Sequence, residues 1–203
     1  MSADGRCLKD TARSLFEQAL DECGIERAFE RRVRVSADAA GARLLVEGQD
    51  AIALDRLRRV RIVSVGKAAA AMLTSLLTRL PLRPSCEMQG VLIAVERPAN
   101  LPAAIQYFCG GHPVPNEASF AGARAALAML HGLGEGATED APSQGNGARR
   151  FAPEETLCIF LLSGGASAMM ELPLDAAISL EDTIEFHRAL VHSGASIVEM
   201  NCV

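Results

Sequence analysis

The sequence is poor in lysine. Of its 20 basic side chains only Lys9 and Lys67 are lysine, and 18 are arginine. It has no basic stretch longer than a few residues, and 25 acidic residues leave a net charge of −5. That balance argues against nucleic acid as the main partner. No apolar run approaches about 18 residues, so no membrane span is expected. The first ten residues carry charges throughout and contain no apolar leader segment, so no secretory signal is expected. Six cysteines (Cys7, Cys23, Cys86, Cys109, Cys158, Cys202) lie far apart, with no Cys-x-x-Cys and no Cys/His pairing at zinc spacing. Without a leader, the apolar settings of Cys109 and Cys158 predict reduced, buried thiols, a cytoplasmic location and no metal site of their own. No G-x-G-x-x-G dinucleotide fingerprint occurs, and Gly165-Ala166-Ser167-Ala168-Met169 lacks the last glycine of a serine-hydrolase elbow.

What is present is a folded domain. The 203 residues are 49% hydrophobic and 22% charged, too apolar for a disordered chain and long enough for a substantial core. Apolar residues from Leu8 to Cys23 recur at helical spacing, with Gly24 as a stop. Alternation within Arg31 to Glu47 predicts a short exposed hairpin, and Ala51 to Arg59 a short connecting helix. Then the pattern becomes regular. Strands are expected at Val60–Val65, Gly90–Val95, Ile105–Cys109 and Thr156–Leu162, the last being the most apolar. Helices are expected over Lys67–Leu80, from Glu117 to about Leu130 behind an Asn116 cap, and from Ser179 to about His192. Ser179 with Glu181 and Asp182 is a helix-start signal weaker than a full capping box, because aspartate replaces glutamate. The polar, glycine-rich stretch 134–150 reads as a flexible loop inside the domain. Apolar strands alternating with helices indicate a Rossmann-like α/β/α sandwich with a mostly parallel sheet, covered on both faces.

In such a sheet, ligands bind beyond the carboxyl ends of the strands. Three of those ends combine small residues with polar groups. Ser163-Gly164-Gly165-Ala166-Ser167 can nest a phosphate or carboxylate against unobstructed backbone N–H groups, or simply turn the chain. Lys67 follows Gly66 where a strand becomes a helix. There its ammonium opposes the positive helix end unless it serves a transferring phosphoryl group. It is not a Walker A lysine, since Arg61 and Ala68 occupy the positions that motif needs. His112, set between Gly111 and Pro113, is either a general base towards a substrate hydroxyl or a structural histidine. Asn116 and Glu117 cap the helix or, less readily, hold Mg²⁺ or substrate. Glu199 and Asn201 are further candidates for the same cleft, while His187 and His192 read as surface or packing residues.

These segments resemble the N-terminal domain of the class II glycerate kinases, a family whose members also carry the label hydroxypyruvate reductase. The matching pieces are Val65-Gly66-Lys67-Ala68-Ala69, the block from Gly110 to Ser119, Leu162 to Ala168, and Ser193 to Asn201. They occur in family order across residues 60–203. The resemblance implies ATP-dependent phosphorylation of D-glycerate at its 2-hydroxyl with Mg²⁺, in a cleft between a Rossmann-like domain and a smaller second one. By resemblance Lys67 matches the family's functional lysine and the Ser163–Ser167 loop its glycine-rich loop; Lys67 and His112 are the expected catalytic residues, and Ser163, Gly164, Gly165 and Ser167 the expected contacts to ATP. Gly66, Asn116, Glu117, Glu199 and Asn201 are the expected substrate-lining residues.

Two positions depart from the family pattern: Ala166 replaces a third glycine, which narrows the anion nest, and Asn116 replaces aspartate. The family also continues past the Glu-Met-Asn segment. Residues 1–203 are therefore expected to be an N-terminal domain incomplete at its C-terminal end, lacking the second domain and weak or inactive alone. A homodimer is compatible with this reading. Two alternatives stay open: NAD(P)H-dependent reduction of hydroxypyruvate, which the missing dinucleotide fingerprint disfavours, and a non-catalytic phosphate- or carboxylate-binding module.

Overall fold

The computed structural model describes residues 3–38, 41–134, 155–200 and 202. The chain divides into two units, one comprising residues up to Asp55 with Thr74–Leu82, the other Arg56–Leu73 with residues from Arg83 onward. The first contains helices α1 (Ala3–Glu22) and α2 (Ile25–Arg32), followed by a three-stranded antiparallel sheet, β1 (Val33–Asp38), β2 (Gly41–Val46) and β3 (Ile52–Ala53). The hairpin expected over 31–47 is thus present. The connecting helix expected over 51–59 is not. That segment forms β3 and a single 3-10 turn, Leu54–Arg56, because Ile52 and Ala53 pair with Leu44 and Arg43 before a helical turn can form. The apolar residues Leu8, Leu15, Phe16 and Leu20 of α1 are exposed.

The second unit is built on a four-stranded parallel sheet flanked by helices, with strand order β6-β5-β4-β7. Its strands are β4 (Arg59–Val65), β5 (Glu87–Ile93), β6 (Ile105–Phe108) and β7 (Thr156–Leu162). The α/β architecture expected from the alternating pattern is therefore found. Parallel neighbours need crossovers. Helix α3 (Ala69–Leu77) carries the chain from β4 to β5, and α4 (Glu117–Gly134) lies between β6 and β7. Strand β4 is central and almost wholly buried, with Val60, Ile62, Val63, Ser64 and Val65 no more than 1% exposed. Its one charged buried residue, Arg61, is matched by Glu87 at the start of β5, Nη2 to Oε1 2.5 Å, as a buried cation requires. Val63, Val65, Val91, Ile93, Ala126 and Met169 form one core cluster.

Strand β7 departs from expectation. The most apolar strand of the sequence sits at the sheet edge, where Cys158, Phe160 and Leu162 share one face and are all exposed. Phe160 is 52% and Leu162 60% exposed. Cys158 is accordingly a free, exposed thiol, and so is Cys109, which lies just past β6 and donates to the Val95 carbonyl at 3.4 Å. Both were expected to be buried; the edge position of one and the loop position of the other explain the difference.

After β7 come the short α5 (Ala166–Met169), α6 (Leu180–His192) and α7 (Ile197–Met200). Helix α6 spans the expected residues. Its capping box is complete despite the aspartate: Ser179 N–H donates to Asp182 Oδ2 at 2.8 Å, and Asp182 N–H to Ser179 Oγ at 3.1 Å. No helix among the described residues is long and apolar enough to cross a membrane. The loop expected over 134–150 lies, from residue 135, outside the described residues, as does Asn201.

Candidate active site

The register of the parallel sheet decides which loops meet. Val65 of β4 is level with Leu162 of β7 and with Ile93 of β5, and Ile93 is level with Phe108 of β6. Gly66 and Ser163 therefore leave the same edge of the sheet side by side. Backbone and side-chain hydrogen bonds join them. Ser163 N–H donates to Val65 O at 3.1 Å, and Lys67 N–H to Gly164 O at 3.0 Å. Ala68 N–H donates to Ser163 Oγ at 3.0 Å. The Ser163 hydroxyl thus holds the turn before α3. Gly66 has φ +117, and a Cβ there would meet the Ser163 carbonyl oxygen at 2.5 Å, so only glycine permits this approach.

Lys67 is exposed and lies in this turn, two residues ahead of the first residue of α3. Among the described residues its ammonium has no ion pair or hydrogen bond. The turn is also tied to the sheet by Ser64, fully buried, whose hydroxyl donates to Ala69 O at 2.9 Å.

The two glycines of the β7 loop differ. Gly165 has φ +88, and a Cβ on it would lie 2.5 Å from Cδ2 and 3.0 Å from Nε2 of His112. The imidazole therefore rests directly on the glycine loop. A Cβ on Gly164 would meet nothing within 4 Å. The space beside it is open, as a ligand cradle requires. Ala166, by contrast, opens α5 and packs against the core cluster. Ser167 lies within α5.

His112 reaches Gly165 from the far side of the sheet, along the segment that follows β6, and its peptide bond to Pro113 is cis. Packing of the ring lowers its pKa below the usual histidine value, and the nearby positive charge of Lys67 lowers it further. Lys67, His112 and the loop Ser163–Gly165 are thus brought together. Neutral imidazole and unpaired ammonium, next to open space at a glycine turn, can receive a proton and hold an anion.

The remaining candidates stand differently. Asn116, exposed at the start of α4, caps the helix: its Oδ1 accepts from Ser119 N–H at 2.9 Å, and its Nδ2 donates to Cys109 O at 3.0 Å. An aspartate there would cap equally but would lack the Nδ2 donor. Glu117 is exposed in the first turn of α4. Glu199 accepts from Ser196 N–H at 2.8 Å at the start of α7 and is held below its ordinary pKa by that bond. His187 pairs with Glu171 at 3.2 Å, a packing role. Sequence reasoning passed over Ser119. Its signal was the Asn-x-x-Ser spacing of a reciprocal cap, three residues after Asn116, behind a segment whose two prolines donate no N–H.

The fold and these groups define an α/β protein in which a lysine, a histidine and a glycine turn meet at the carboxyl edge of a parallel sheet. More narrowly, residues 11–203 match the family described as domain of unknown function DUF4147, and the chain belongs to that family. Among its relatives, the glycerate 2-kinase of Pyrococcus horikoshii is 29% identical over 196 residues, spanning 97% of this chain and 37% of that protein. The D-glycerate 2-kinase of Thermotoga maritima is 33% identical over 148 residues, spanning 72% of this chain and 30% of the relative. A crystal structure of a protein from Pyrococcus horikoshii OT3 superposes with a TM-score of 0.66 at 28% identity, covering 96% of this chain and 37% of that one. The chain therefore spans about a third of the length of the curated relatives it matches.

Proposed function

We propose that this chain contributes the glycine-turn side of a D-glycerate 2-kinase site, and that the complete protein transfers a phosphoryl group from ATP to the 2-hydroxyl of D-glycerate. The observation that carries this reading is the meeting of Lys67, His112 and the Ser163–Gly165 loop at one sheet edge, beside open space. The names of the two kinases support the substrate and the hydroxyl.

The residues divide the work as follows. Lys67 pairs with phosphate oxygens and offsets the charge on the group in transfer. The glycine loop lets backbone approach the phosphates where a side chain would block them. His112, neutral near pH 7, accepts the proton released as the 2-hydroxyl oxygen bonds to phosphorus and the bond to the departing ADP oxygen breaks. Bound ATP supplies the phosphoryl group. Among the described residues no cluster of three or more metal-ligating side chains occurs. In this reading Mg²⁺ is held chiefly by the nucleotide phosphates, its common mode.

The test is turnover of the complete protein with ATP, Mg²⁺ and D-glycerate, with the product identified as 2-phosphoglycerate. Lys67→Ala is expected to lower kcat by about 100-fold or more with the fold intact. Normal turnover in that variant would remove Lys67 from the mechanism. Oxidation of NAD(P)H by hydroxypyruvate, with no phosphoryl transfer, would overturn the kinase reading.

A further inference from the structure

We propose that Ser119 is the positioning residue that holds His112 against the glycine loop. The proposal rests on the kinase reading for its consequence to the rate, but on hydrogen-bond geometry for its substance. A serine hydroxyl has one hydrogen and two acceptor lone pairs. In Ser119 all three are used: Oγ accepts from Gly111 N–H at 3.0 Å and from Asn116 N–H at 3.2 Å, and donates to Asn116 Oδ1 at 3.2 Å. The residue is 0% exposed, so water does not compete for any of them.

The two amides it gathers flank the segment His112-Pro113-Val114-Pro115. One oxygen on α4 therefore closes both ends of the segment that carries the imidazole. Two of the four residues between those ends are prolines without N–H, so the segment has few donors with which to organise itself. Capping of α4 accounts for only part of this. A helix cap needs the bond from Ser119 N–H to Asn116 Oδ1 and its return from Asn116 N–H, whereas the bond from Gly111 lies on the other side of His112 and does nothing for the helix. Loss of Oγ frees Gly111 and lets the ring leave Gly165. Because misplacement by about 1 Å can cost on the order of 100-fold in rate, the effect reaches the chemistry without any contact between Ser119 and substrate.

The experiment compares Ser119→Ala with wild type in the complete protein, and uses Ser119→Cys as a second variant that fills the same volume with a weakly hydrogen-bonding sulfur. The direct readout is the nuclear Overhauser contact between the His112 ring proton on Cδ2 and the Gly165 α-protons. The His112 resonance is assigned by its loss in His112→Asn. In whichever variant keeps the native melting transition, the contact is expected to weaken or vanish, and the imidazole to titrate closer to an ordinary histidine. In parallel kcat falls by about 10-fold or more while KM for ATP changes little. An unchanged contact and unchanged titration in a folded variant would overturn the proposal. If the contact is lost but wild-type protein fails to phosphorylate D-glycerate, the kinase reading falls and the positioning role stands.

Discussion

At the residue scale, two adjacent glycines offer opposite outcomes for the same change. Gly164→Ala places a methyl group in open space, so the fold should be unaffected, while any ligand drawn against the loop meets the added carbon. Gly165→Ala forces a left-handed residue and drives the methyl group into the His112 ring; a cost of about 1–3 kcal/mol in unfolding free energy is expected. Denaturant titration followed by circular dichroism, beside an ATP-binding measurement, separates them. Stability lost in the first variant but not the second would contradict this account. His112 also sets a pH dependence. Its folded pKa lies below the unfolded value of 6.5, so between the two the unfolded chain binds the proton and the folded chain resists it. Stability should fall as pH drops below 6.5, level off once the folded ring also protonates, and lose this step in His112→Asn. As a base, the ring places the acid limb of kcat/KM below 6.5. Lys67, His112 and the glycine loop were legible because their neighbours are small and their places are strand ends. Ser119 was not, because its role depends on two amides that the folded segment places beside one oxygen.

At the scale of elements, strand and helix positions followed from periodicity wherever long-range pairing agreed with it, as in β4, β7 and α6. Residues 51–59 show the opposite case: a sequence able to form a turn of helix pairs with β2 instead. Burial was less legible than identity. Cys158, Phe160 and Leu162 have the composition of a buried strand, and nothing local to β7 records that it is an edge strand among the described residues. The cap of α6 supplies a test at this scale. The Ser179 hydroxyl, then its backbone N–H, holds the Asp182 carboxyl below its ordinary value, so the contribution is complete above 3.8 and disappears as acid protonates the folded carboxylate. Ser179→Ala should lower the melting temperature by about 2–4 °C near neutral pH. The difference from wild type should shrink in acid, and a difference independent of pH would argue against the box.

At the scale of the whole molecule, the parallel sheet is both the core and the frame of the site. Leu92, 0% exposed in β5, should cost about 2–5 kcal/mol when cut to alanine. Circular dichroism is the suitable probe, since the chain has no tryptophan and one tyrosine. The bond from Ala68 to Ser163 joins residues 95 positions apart. During synthesis, the turn that carries Lys67 leaves the ribosome long before its partner exists, and closing so large a loop is slow compared with forming the helices on either side. The meeting of the Lys67 turn with the Ser163–Gly165 loop is therefore among the last features to assemble. Until β7 docks on β4, a nascent chain carries Lys67 without the Ser163–Gly165 loop beside it, and the ligand proposed for that place could stabilise only molecules that have completed the sheet.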